Sequence, residues 1–191
     1  MTLSSIPWAL VIFRLAAGPA LITLAMLGGR AFAVAAVVVL SLGVLSDILD
    51  GIIARRLKVA TERLRRFDSR ADVAFWVSAT VAVHLMYPAL IDATWPVIAV
   101  LATLEAGNHV VSVLRFGREA SPHHLLSKLF GLGLWALFAQ LMLTGQPGWL
   151  MGVVFALGVA SQIEAFAITL RLKAWRCDVP SVFSLGGGQK L

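Results

Sequence analysis

Apolar residues run along this chain in long blocks instead of narrow amphipathic stripes. Crossing about 30 Å of hydrocarbon takes roughly 20 mostly apolar residues in a helix. Six runs of about that length can be marked between Gly, Pro, Trp or charge, at 7–28, 31–56, 62–90, 95–116, 124–145 and 148–172. Turn signals separate them at Gly28-Gly29, Pro88, Trp95-Pro96, Ser121-Pro122 and Gly145-Gln146-Pro147-Gly148. The pattern predicts an all-α integral membrane protein with six transmembrane helices. Residues 1–175 form its membrane domain and 176–191 a tail, with Gly186-Gly187-Gly188 as a loose end.

Composition agrees with this reading. Of 191 residues, 59% are hydrophobic and 14% charged, and the mean hydropathy is +0.87. Ten acidic residues cannot solvate a water-soluble surface of this size, which excludes an ordinary cytosolic enzyme, an acidic binding tail or a disordered regulator. The single cysteine, Cys177, excludes a disulfide framework or a cysteine-based metal centre and is expected to be inert.

The net charge of +6 reports orientation and attraction to anionic headgroups, and no nucleic-acid partner is expected. Arg30 stands alone between the first two spans, and no Lys or Arg falls between spans three and four or five and six. The opposite side holds Arg55, Arg56, Lys58, Arg63, Arg65, Arg66 and Arg70, then Arg115, Arg118 and Lys128, then Arg171, Lys173, Arg176 and Lys190. By the positive-inside rule these segments and both termini are cytoplasmic, in agreement with an even number of spans in the cell membrane. Trp8 and Trp175 suit the inner interface and Tyr87, Trp95 and Trp149 the outer one. The first apolar run is already span-length with no basic residue before it, so a cleaved signal peptide is not expected.

Chemistry concentrates between Ser46 and Trp76, where four of the six aspartates sit at the ends of two apolar helices. Asp47 and Asp50 are spaced i, i+3 and Asp68 and Asp72 i, i+4, so each pair occupies one helical face. A turn near Val59 brings the pairs level in two tiers of an antiparallel hairpin. Four carboxylates converging in a low-dielectric site repel one another unless cations neutralise them. Oxygen-only ligands favour hard ions such as Mg²⁺ or Mn²⁺, and two such ions balance four carboxylates while clamping a phosphate. Gly51 removes a side chain beside Asp50, Ala54 follows one turn on, and Arg55 is a fork donor suited to a diphosphate.

This spacing resembles the CDP-alcohol phosphotransferase signature, D-x2-D-G-x2-A-R-x8-G-x3-D-x3-D, with Asp47, Asp50, Gly51, Ala54, Arg55, Asp68 and Asp72 in register. Arg14 and Pro19 resemble an Arg-x4-Pro of bacterial members. Val111 to Arg115 with Ser127-Lys128 resembles their phosphatidylglycerophosphate synthase branch. The resemblance implies transfer of a phosphatidyl group from CDP-diacylglycerol to an alcohol, glycerol 3-phosphate first, with release of CMP. It implies two divalent ions on Asp47, Asp50, Asp68 and Asp72, with Asp72 also the general base. Gly51, Ala54 and Arg55 would receive the nucleotide diphosphate, Arg115 and Lys128 the acceptor phosphate, and a homodimer is usual. Leu64 replaces the second Gly of the pattern, and a branched side chain there crowds the nucleotide or shifts its pose.

Other readings stay open. The remaining arginines from Arg63 to Arg70 read as topological and lipid-headgroup anchors. Arg14 either snorkels to the interface or faces a polar cavity. Glu105 and Glu164, within spans, need partners the sequence does not name; His84 and His109 read as structural, and His123-His124 as loop. A divalent-cation or lipid transporter would also use carboxylates, though nearer mid-membrane and often with repeat symmetry. A catalytically inactive binding protein is the third alternative.

Overall fold

Blocks of aliphatic residues interrupted by Gly and Pro give helices with sharp ends. The computed structural model describes residues 5–57, 59, 61–118, 124–175 and 179–185, the side chains of Glu62 and Ile91 apart. Lys58, Ser121-Pro122, His123, Arg176, Cys177, Gly186 to Gly188 and Lys190 lie outside these. Among the described residues six long helices are formed: α1 (Ile6–Leu27), α2 (Arg30–Arg56), α3 (Glu62–Met86), α4 (Pro88–Phe116), α5 (Leu125–Thr144) and α6 (Leu150–Arg171). A 3-10 turn at Val182–Leu185 follows. No strand occurs among the described residues.

Among the described residues, five helical segments are long and apolar enough to cross a membrane: α1, α2, Asp92–Phe116 of α4, α5 and α6. The sixth expected span, α3, does not meet that standard, because its first three turns carry Glu62, Arg63, Arg65, Arg66, Asp68, Arg70 and Asp72.

The third and fourth runs divide differently from expectation. The helix expected over 62–90 ends at Met86, and Pro88 opens α4 instead of closing α3. Proline forces the preceding residue out of the helical region, and Tyr87 accordingly has φ −143° and ψ 72°. At a helix start the ring costs nothing, since that N–H has no intrahelical partner. Pro96, expected to mark a loop, lies inside α4, where it forgoes one ladder bond without ending the helix.

The chain packs as two compact units. One comprises Met1–Asp92 with Phe138–Gln146, the other Ala93–Leu137 with Pro147–Leu191. In the first, α1 lies along both α2 and α3, while α2 and α3 meet each other only slightly. Small residues allow the approach. A side chain at Gly43 would strike the buried Phe75 ring, and a Cβ at Gly18 would come within 2.7 Å of Ser78 Oγ. The Trp76 ring meets that of Phe138 at a tilt of 57°, centres 5.6 Å apart, within this unit. In the second unit, Val179 and its neighbours fold back on α6 against Ile168 and Leu172.

Candidate active site

The turn from α2 to α3 is built from local hydrogen bonds. Leu57 N–H donates to Ile53 O and Val59 N–H to Ala54 O, which closes α2. Thr61 caps α3 by accepting from the Leu64 N–H at 3.2 Å. Asp47 and Asp50 then share one edge of α2, and Asp68 and Asp72 one edge of α3.

The two edges meet across α1. The aspartate pairs of α2 and α3 come together as the hairpin leads one to expect, with α1 packed along both arms, and the Arg14 side chain, with no exposed surface, stands among the four carboxylates. Its Nη1 donates to Asp47 Oδ1 and its Nη2 to Asp50 Oδ2. Nη2 also donates to Asp68 Oδ1 at 2.7 Å, and Nη1 lies 3.5 Å from Asp72 Oδ1. The reason is electrostatic, since four like charges cannot close on one another and a planar guanidinium can donate to several oxygens at once. Asp50 is almost buried, whereas the side chains of Asp47 and Asp72 stay 43% and 42% exposed, so the cluster opens on one side.

Beside it, Arg55 is exposed and its guanidinium lies along Gly51, where an added Cβ would stand 3.3 Å from Nη1. Ala54 is buried with Val11, Leu64 and Ala71, and Trp8 and Val59 pack against this group. Leu64 thus fills the space next to Ala54.

The family model for CDP-alcohol phosphatidyltransferase matches residues 4–168. The chain belongs to this family. Neither the curated proteins nor the solved structures compared with it give a match. Membership makes the protein one of a group of phospholipid-synthesis transferases that act on CDP-alcohols, and such transferases generally use divalent metals. The donor set fits that use. Asp47, Asp50 and Asp68 each offer an oxygen within 4.8 Å of the others. The carboxylates of Asp47 and Asp72 stay open to solvent beside this set, and carboxylate oxygens are the ligands that hard divalent ions take.

Arg115 and Lys128 of this transferase lie in the second unit. Arg115 Nη2 donates to the Leu172 carbonyl at 3.1 Å, and its guanidinium lies 5.5 Å from the Phe116 ring centre. Lys128 is exposed near the start of α5.

The same unit supplies the partners that the sequence left unnamed. Glu105 accepts from Gln162 Nε2, and Glu164 accepts from Ser181 Oγ at 2.8 Å and from the Val182 N–H at 3.2 Å. His124 lies just before α5, outside the helix as expected, and is buried with Nε2 3.1 Å from Ser161 O and 3.8 Å from Glu164 Oε2. Its position directly before the apolar run of α5 was the only available signal.

Proposed function

We propose that this transferase moves a phosphatidyl group from CDP-diacylglycerol to the hydroxyl of an alcohol and releases CMP. Glycerol 3-phosphate is the first acceptor to try, as in the bacterial phosphatidylglycerophosphate synthase-like branch. The observation that carries the reading is the convergence of both aspartate edges on one partly open point in a chain of this family. The protein lies in the cell membrane as six spans, α3 included, with both termini and the aspartate cluster on the cytoplasmic side and a second copy as partner.

Asp47, Asp50, Asp68 and Asp72 would hold two divalent ions, Mg²⁺ or Mn²⁺, which when bound offset the charge of the diphosphate and of the phosphoryl oxygens as the bond changes. Arg55 donates to the nucleotide-side phosphate, and bare Gly51 lets it lie close to the helix. Asp72 takes the acceptor's proton. The acceptor oxygen forms a bond to the phosphorus that carries diacylglycerol, and the bond from that phosphorus to CMP breaks. Arg115 and Lys128 neutralise the acceptor phosphate; the bond to Leu172 occupies one nitrogen of the Arg115 fork. A cluster opening near the interface can receive a lipid from the side and a soluble headgroup from water.

Purified protein in detergent with labelled CDP-diacylglycerol and glycerol 3-phosphate tests the proposal. CMP release should require divalent metal and fall by about a hundred- to ten-thousandfold in Asp72→Asn, the usual contribution of a general base. Ion flux without CMP release would identify a transporter. Donor binding without turnover under any metal and acceptor would identify a binding protein.

A further inference from the structure

The first two turns of α3 carry a second chemistry, directed away from the aspartates. Arg63, Arg66 and Arg70 follow at i, i+3 and i+7, so at 100° per residue they fall within about 60° of one another, with Phe67 alongside. Asp68 and Asp72 point roughly 150–170° from the mean direction of those arginines. All four residues of the basic face are exposed, and they line an open groove of about 440 Å³. Phe67 also rests on Trp8 of α1, ring centres 5.6 Å apart.

We propose that this groove binds the phosphate of an anionic phospholipid headgroup, at a site separate from the aspartate cluster. Depth favours a lipid, because the charged turns of α3 end at Asp72 and the apolar stretch Val73 to Met86 begins there, which sets the groove at headgroup level. Arg63 and Arg70 are about 10 Å apart along the helix axis, the scale of one headgroup, and guanidinium forks match phosphate oxygens two at a time. Phe67, backed by Trp8, gives the groove an apolar wall for the glycerol ester region, a setting that aromatic residues favour at the interface. Basic residues scattered near a membrane attract anionic lipid additively wherever they stand. A groove makes the effect depend on position.

Native mass spectrometry of the full chain in detergent, with phosphatidylglycerol and phosphatidylcholine of identical acyl chains, separates these cases. One phosphatidylglycerol should bind saturably and in preference to phosphatidylcholine. Arg63→Gln with Arg70→Gln should weaken it roughly 10- to 30-fold, whereas Arg171→Gln with Lys173→Gln, removing equal charge elsewhere, should leave it unchanged. Arg63→Lys with Arg70→Lys keeps the charge but loses the forks and should fall between. Equal losses in the two glutamine pairs, or equal affinity for phosphatidylcholine, would overturn the site. Displacement of the lipid by inorganic phosphate or glycerol 3-phosphate at the same arginines would overturn the lipid as the ligand.

Discussion

Leu64 stands where the family pattern has glycine, and its side chain is packed: it is 5% exposed, against Val11, Ala54 and Ala71. If the nucleotide enters beside Ala54, this side chain is in its way, and Leu64→Gly should tighten CDP-lipid binding by about tenfold. The same substitution removes a buried side chain and places glycine in a helix, costing about 2–5 kcal/mol of stability. Leu64→Ala keeps more of both. Binding read from the fluorescence of Trp8, which packs against this group, and a thermal melt separate the two effects. Unchanged or weaker affinity in a folded variant would mean that the pocket is built around leucine. At this scale the motif aspartates were legible because helical spacing alone assigns them to shared faces. Arg14 was not, since a cation two turns into an apolar span reads identically whether it snorkels outward or is trapped inward.

Among the elements, α1 has a role that no motif announces. It separates α2 from α3 and brings one guanidinium to four carboxylates, so that it acts as the counter-charge of the cluster when no metal is present. Arg14→Gln should therefore destabilise the metal-free protein by about 2–4 kcal/mol. That is somewhat below the cost of breaking a fully buried pair, because Asp47 and Asp72 retain solvent contact. Millimolar Mg²⁺ or Mn²⁺ should recover much of the loss and raise the melting temperature of the variant more than that of the parent protein, since binding to the folded state alone stabilises it. Equal metal shifts in both proteins would argue against Arg14 as the resident counter-ion. The helices themselves were legible from apolar run length, with ends mostly within two residues of those observed. The α3–α4 boundary was misplaced because Pro88 reads equally as a stop and as a start, and only the conformation of Tyr87 decides. The wedge of α1 was hidden because uniformly apolar helices carry no stripe to say which neighbour they choose.

Topology is decided at the scale of the whole molecule, and it turns on α3. From Val73 to Met86 its apolar part is 14 residues, about 21 Å of helix, short of the roughly 30 Å of a hydrocarbon core. Arginines at the cytoplasmic end can extend toward the interface, and the bilayer can thin, at a modest cost. The distribution of Lys and Arg favours the crossing: with six spans every strongly basic segment is cytoplasmic, whereas with five the α4–α5 and C-terminal clusters would have to be translocated. The two topologies assign opposite sides to the α4–α5 and α5–α6 connections. After Cys177→Ser, Gln146→Cys should react with a membrane-impermeant maleimide on intact cells, and Arg118→Cys only after permeabilisation. Both positions are exposed. The reverse pattern would make α3 an interfacial helix and put the C-terminus outside. It would leave the aspartate cluster intact, because Asp47, Asp50, Asp68 and Asp72 sit at the ends of α2 and α3 nearest their connecting turn and are held by Arg14 whichever way α3 continues.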